Sequence, residues 1–221
     1  TAMERKFNNA LDKKEKNYVG IKYHVKLNFP ADQIELHNFK NGYCGISKIE
    51  GDAYCMCYLT AAANLKKYKG DIKKMEEEVL MKNPVLKNYF SAATFLFDEP
   101  LAISQIRIGY KSAVENNVLM IGDAAGNIAP LSGNGMSMAM RSSKQLAILL
   151  DDYFTQKISR AELNTSYEHF WKKEFKKRIQ VSSVLQGLLK NEALTNVTIA
   201  VLNKLPVLKR GVVKATHGEV F

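Results

Sequence analysis

The segment VLMIGDAAGNIAPLSGNGM, from Val118 to Met136, limits what this chain can fold into more than any other stretch. Val118 to Ile121 is a short apolar run bounded by turn residues, a pattern that predicts a buried strand covered on both faces. Gly122, Ala124, Ala125 and Gly126 place nothing bulky around Asp123, so a ligand could approach the backbone closely there. Pro130 interrupts the chain, and Gly133-Asn134-Gly135 leads into a helical pattern. From Met136 to Tyr153 the apolar residues Met136, Met140, Leu146, Leu149 and Leu150 recur at helical spacing. The start of that helix is directed where the loop is directed. Its unpaired N–H groups and positive dipole end favour an electron-rich or anionic group.

The residues before this segment read mostly as strands. NYVGIKYHVKLNF (17–29) and 34–39 alternate apolar and polar side chains, and 43–49 and 53–60 give a third and a fourth strand. Turn signals at Pro30 to Asp32, Lys40-Asn41-Gly42 and Glu50-Gly51-Asp52 join them, giving an antiparallel sheet with one face available to a ligand. A helix is expected over 71–83, stopped before Pro84, with a short helical turn at 85–90 and a further strand at 102–108. Two helical segments close the chain, 159–190 and 192–205, and Ser159-x-x-Glu162 has capping-box spacing at the first. The class is α+β.

Composition narrows the function. With 221 residues and 46% hydrophobic content the chain can bury a sizeable core. No apolar run reaches the roughly 18 residues of a membrane span, and no signal-peptide pattern opens the chain. The three cysteines, Cys44, Cys55 and Cys57, suggest no disulfide framework and read as reduced thiols of a cytoplasmic protein. Cys55-x-Cys57 lacks neighbouring ligands, so no metal site is expected. The net charge of +10 invites a nucleic-acid partner. Its cations are dispersed over Lys13 to Lys16, Lys66 to Lys74, Lys172 to Arg178 and Lys204 to Lys214, without any nucleic-acid-binding signature, so none is expected. In WKKEFKKR (171–178) the spacing of Phe170, Phe175 and Ile179 predicts a buried stripe and a solvated basic face.

Gly122-Asp123-Ala124-Ala125-Gly126, then Pro130, then Gly133-Asn134-Gly135, resembles the second flavin-contacting motif of FAD-dependent oxidoreductases with the para-hydroxybenzoate hydroxylase fold. Within that superfamily the pattern is most similar to the geranylgeranyl reductase-like branch, with aromatic-ring monooxygenases and squalene epoxidase as further members. The resemblance implies that Asp123, between Gly122 and Ala124, hydrogen-bonds a ribityl hydroxyl of FAD. It implies that Pro130 lies beside the isoalloxazine ring, and that N–H groups near Gly133, Asn134, Gly135 and Met136 face its pyrimidine edge. A reduced flavin is negative near that edge, which suits a helix N-terminus.

The family's GxGxxG turn, which holds the pyrophosphate of FAD, occurs nowhere in the chain. Residues 1–17 look like the helix and turn that follow the missing region. The resemblance therefore implies the C-terminal part of a longer flavoenzyme, inactive as an isolated piece. It would comprise a substrate-binding sheet domain (1–108), a segment of the FAD domain (109–155) and C-terminal helices (156–221). Electrons would come from NAD(P)H or ferredoxin, and a hydrophobic small molecule would undergo double-bond reduction or mono-oxygenation. In such enzymes the flavin carries the redox chemistry, so no catalytic side chain is singled out. The competing reading is a non-catalytic basic binding module whose glycine loop is only structural.

Other candidates carry less. His24, His37, His169 and His217 have no catalytic partner at a telling spacing, and Ser132 and Ser137 lack a nucleophile elbow. Tyr23, Tyr43, Tyr54, Tyr58 and Phe39 suit either a substrate face or sheet core. The tail from Val197 to Lys214 mixes aliphatics with cations; it suits docking on its own domain and leaves peripheral membrane contact open.

Overall fold

The computed structural model describes residues 17–188 and 192–217, which divide into two compact units, one up to Arg107 and one from Ile108. Of the helix and turn read over 1–17, residues 1–16 lie outside the described residues, and Asn17 begins a strand.

The first unit is built on an antiparallel sheet of β1 (Asn17–Lys26), β2 (Ile34–Phe39), β3 (Gly42–Lys48), β4 (Tyr54–Ala61), β5 (Thr94–Phe95) and β6 (Leu101–Arg107). The order is β2-β3-β4-β1-β5, with β6 also pairing β1. Strand alternation puts Ile21, Tyr23 and Val25 on one face of β1. The register continues that face across the sheet: Ile21 lies opposite Tyr58, Tyr23 opposite Met56, and Val25 opposite Tyr54. Cys44 and Ile46 extend it on β3. Asn41, with φ 61°, takes the left-handed conformation the β2–β3 hairpin requires.

Three helices, α1 (Ala62–Lys67), α2 (Ile72–Glu78) and α3 (Pro84–Ala92), lie between β4 and β5 in the chain. Asp71 caps α2 by accepting the Lys74 N–H at 2.9 Å. Asn83 caps α3 in the same way at Val85, with Pro84 at the first helical position. The helix expected over 71–83 is broken after Glu78, and its last turn is a tighter 3-10 turn at Leu80–Lys82. Met75, Leu80, Leu86 and Phe90 bury themselves in one core with Ile21, Val25, Ile46 and Met56. Each such side chain contributes roughly 1.5–3 kcal/mol. Tyr23, Tyr54, Tyr58 and Phe39 belong to this core rather than to an open substrate face. Tyr43, one residue out of phase with Cys44, lies on the other face with Cys57 and Lys22. All three thiols are free, and burial raises the pKa of each, that of Cys57 to about 11.

The second unit is mainly helical. Short pairs β7 (Gly109–Tyr110) with β10 (Gly126–Asn127), and β8 (Val114–Glu115) with β9 (Val118–Leu119), precede α4 (Gly135–Phe154) and α5 (Arg160–Leu188). Then come α6 (Glu192–Lys204) and α7 (Pro206–His217). The capping box forms at α5: Glu162 accepts the Ser159 N–H at 2.7 Å, and Ser159 Oγ accepts the Glu162 N–H at 3.3 Å. Steps of four residues bury Leu163, Tyr167, Trp171, Phe175 and Ile179 along α5, with Phe170 half-buried beside them. Lys172, Lys173 and Lys177 face solvent, as the spacing predicts.

One expectation fails in this unit. The run Val118 to Ile121 is not a buried strand covered on both faces. Only Val118 and Leu119 are strand, paired to β8, and Val118 and Ile121 are exposed. Apolar content alone cannot say which faces are covered. Helix α4 buries Met138, Ser142 and Leu146, while Met136 and Met140 are 80% and 56% exposed. The buried residues of α4 thus coincide only in part with the apolar residues that recur at helical spacing. Among the described residues no helix is long and apolar enough to cross a membrane.

Candidate functional site

The glycine-rich segment is held in place by helix α5, at positions that the sequence did not reveal. Tyr167 donates its hydroxyl to the Met120 carbonyl at 2.7 Å, just ahead of Gly122. Trp171 Nε1 donates to the Lys111 carbonyl at 3.1 Å. Ser182 Oγ accepts the Ala129 N–H at 3.2 Å. Glu168 accepts four hydrogen bonds, from the Ala113 and Val114 N–H groups, Ser112 Oγ and the Tyr110 hydroxyl. Nearby carboxylate and burial together raise Tyr110 to about 12, burial being the larger cause. A salt bridge from Arg141 to Glu174, shared with Arg178, ties α4 to the same helix. One long helix thus fixes both ends of the loop.

Within that frame, Gly122 begins a 3-10 turn, Gly122–Ala124, with φ 54°. A Cβ at Gly122 would come within 3.1 Å of Ala139 Cβ, so the turn packs directly on the early turns of α4. The Gly122 N–H reaches Ser142 Oγ at 3.4 Å from the same helix. Gly126, at φ 149°, serves a second close approach: a Cβ there would meet the Gly109 carbonyl oxygen at 3.0 Å. These two glycines are required by packing. Asp123 and Ala124 lie on the outer side of the turn, and both are exposed. Among the described residues nothing hydrogen-bonds the Asp123 carboxylate, and partial desolvation raises its pKa above the ordinary aspartate value. An acid left without a partner at the lip of a small-residue turn is available to a ligand hydroxyl.

Pro130 opens a 3-10 turn, Pro130–Ser132, which Ser132 closes by donating its Oγ–H to the Ala129 carbonyl at 2.7 Å. Gly133 then turns left-handed at φ 66°, with no described residue within 4 Å of where a Cβ would stand, and the same holds at Gly135. Here the glycines face open volume, in contrast to Gly122 and Gly126. Asn134 precedes α4 but does not cap it. Its side chain is 8% exposed and donates Nδ2 to the Thr216 carbonyl of α7 at 2.7 Å. Its role is therefore to fasten the last helix to this loop, leaving only its backbone for a ligand. With no side-chain cap, the first-turn N–H groups of α4 keep their hydrogen-bonding capacity. Met136 is exposed at that helix start.

The residues singled out in the sequence thus fall on two adjoining pieces of one unit. Gly122, Asp123 and Ala124 form a turn packed on α4, while Pro130, Gly133, Asn134, Gly135 and Met136 form the entry to the same helix. The arrangement offers an acceptor for a hydroxyl, open space at two glycines, and uncapped amides that favour an electron-rich edge. Among the described residues there is no group of His, Cys, Asp and Glu side chains that could hold a metal ion.

No protein-family model matches the chain. Conditioned medium factor receptor 1 of Dictyostelium discoideum is 24% identical over 150 residues, covering 67% of this chain and 29% of that protein. Digeranylgeranylglycerophospholipid reductase of Methanococcus vannielii is 30% identical over 86 residues, 37% of this chain and 22% of that protein. The chain therefore spans less than a third of the curated relatives it matches. Among solved structures, a geranylgeranyl bacteriochlorophyll reductase-like protein of Thermoplasma acidophilum superimposes with a TM-score of 0.65. It is 13% identical, with 81% of this chain and 45% of that one covered. The myxobacterial FAD-dependent halogenase CndH gives 0.64 at 17% identity over 84% of this chain and 45% of that one. Klebsiella pneumoniae HpxO, solved with FAD and uric acid, gives 0.63 at 15% identity over 90% and 52%. The chain has the fold of a portion of the FAD-dependent oxidoreductases of the para-hydroxybenzoate hydroxylase type, a group that includes geranylgeranyl reductase-like proteins, monooxygenases and halogenases.

Proposed function

We propose that this chain is the C-terminal part of a flavin-dependent oxidoreductase that reduces a double bond in, or oxygenates, a hydrophobic substrate. The observation that carries this reading is the pairing of an unpartnered, exposed Asp123 with the uncapped start of α4, on a turn that packs against that helix through Gly122. In the holoenzyme, Asp123 would accept a hydrogen bond from a ribityl hydroxyl, with Gly122 and Ala124 keeping the approach clear. Pro130 would flank the ring, and the N–H groups of Gly133 to Met136 would line its pyrimidine edge. The FAD would supply hydride and electron transfer, with NAD(P)H or ferredoxin as donor. The chain's own residues orient it and place positive potential where reduced flavin is negative. The pyrophosphate would be held by a GxGxxG turn encoded ahead of this chain.

A hydrophobic substrate is supported by the phospholipid reductase among the relatives. Helices α6 and α7 add a second indication. Val197, Ile199, Leu205, Val207 and Val213 are exposed beside Lys204, Lys209, Arg210 and Lys214, a surface suited to peripheral contact with an anionic membrane. The test is the full product of the gene, purified and examined for flavin absorbance. Stoichiometric FAD supports the assignment. A folded, colourless full product that takes up no added FAD leaves only the structural role for the glycine loop, that of a basic binding module without redox chemistry.

A further inference from the structure

The first unit contains a cavity of about 430 Å3, wholly within that unit, lined by Tyr23, Glu76, Phe90, Phe95, Phe97 and Asp98. Its walls are aromatic. Tyr23 meets Phe95 edge-on with ring centroids 4.9 Å apart, and Phe90 edge-on at 6.2 Å. At its base is a carboxylate that the fold has not finished satisfying. Glu76 is 5% exposed, yet the hydroxyls of Tyr23 (2.9 Å) and Tyr58 (2.7 Å) both donate to the same oxygen, Oε1. No described residue donates to Oε2. A carboxylate has about four acceptor sites, so Oε2 keeps acceptor capacity toward the cavity that Glu76 lines. Glu77 and Asp98 add acidic groups at the rim, against one cation among the described lining residues, Lys73. In a chain of net charge +10 this is a locally acidic, aromatic hollow.

We propose that this cavity binds a small organic ammonium ion carrying an aromatic or compact apolar body. The ammonium donates to Glu76 Oε2 and lies against the faces of Tyr23 and Phe95, while Phe97 and Asp98 close over the apolar end. Each feature selects for that chemistry. Ring faces attract a cation through their quadrupole, the unused carboxylate oxygen accepts a charge-assisted hydrogen bond, and the acidic rim repels an anion. Neither the glycine-rich loop nor a flavin enters this inference, which stands or falls separately.

The test is calorimetric titration of the chain with 2-phenylethylammonium, 2-phenylethanol and 3-phenylpropanoate, which share a phenyl body and differ in charge. Saturable binding of the ammonium is expected, about tenfold or more tighter than the alcohol, with the carboxylate weakest. Glu76→Gln keeps an acceptor for both tyrosines and should weaken the ammonium about tenfold while leaving the alcohol unchanged. Phe97→Ala and Asp98→Asn, both at exposed mouth positions, should each weaken it several-fold, and they decide the matter if the Glu76 variant does not fold. Equal binding of alcohol and ammonium overturns the proposal. So does the absence of saturable ammonium binding, or unchanged affinity in the Phe97 and Asp98 variants.

Discussion

Glu168→Ala should be among the most damaging single substitutions in the second unit, although Glu168 lies in mid-helix and no sequence motif marks it. Its carboxylate accepts the Ala113 N–H at 2.8 Å, the Val114 N–H at 3.1 Å, Ser112 Oγ at 2.8 Å and the Tyr110 hydroxyl at 3.1 Å. Hydrogen bonds to a charged acceptor contribute roughly 1.5–3 kcal/mol each, and a buried N–H left without a partner costs about 1–3 kcal/mol. These terms overlap, and water can enter beside a half-buried carboxylate. The expected loss is therefore about 3–5 kcal/mol, the range of a broken buried network. The single Trp171 is buried in this unit, one helical turn from Glu168, and its fluorescence reports the unit's unfolding. Urea titration should show the transition moving to lower denaturant with an unchanged slope. Glu168→Gln, which keeps one acceptor oxygen, should lose roughly half as much. A loss below about 1 kcal/mol for the alanine variant would show that the 110–114 segment holds its place without α5, and would refute the clamp.

Gly122→Ala should destabilise by about 2–3 kcal/mol, since it adds a left-handed penalty to a contact with Ala139. Gly133→Ala, with the same sign of φ but open space around it, should cost only about 1 kcal/mol; equal losses in urea titrations would contradict the packing argument. Burial raises the folded pKa of Glu76 above the ordinary value of 4.5, outweighing the hydrogen bonds from Tyr58 and Tyr23. An acid with a raised folded pKa favours folding fully below its unfolded pKa and loses that contribution as pH rises through the folded value. The stability of wild type relative to Glu76→Gln should therefore fall as pH rises from about 4.5, then level off. A difference that is flat or rises in denaturation curves taken across that window would sink the assignment.

Local signals in the sequence translated faithfully into structure. Strand β2 lies over 34–39 as its alternation predicts, and the Ser159–Glu162 box forms as spaced. The core of the first unit follows from period-two alternation, which also decides that Tyr23, Tyr54 and Tyr58 are core. Helix α1 was missed because Ala61 supplies no capping side chain and AANLKK carries no start signal. The failed expectation at Val118 to Ile121 has a simple cause. Hydrophobicity reports a tendency to be covered, while coverage depends on distant chain. The supports of the candidate site were illegible for a similar reason. Tyr167, Glu168, Trp171 and Ser182 act on residues more than forty positions away, and only the fold brings them there. The motif picks out the residues proposed to face a ligand, and the long helix behind them holds their turn in place.

The central claim is that the turn at Asp123 and the start of α4 together hold a flavin ring. Flavin content of the full gene product carrying Asp123→Ala, measured against wild type after gel filtration, tests it most directly. Wild type should retain FAD in near-stoichiometric amount, and the variant, folded by circular dichroism, should lose about tenfold or more in affinity as a charge-assisted hydrogen bond disappears. A folded variant that keeps its flavin as tightly as wild type would contradict the account.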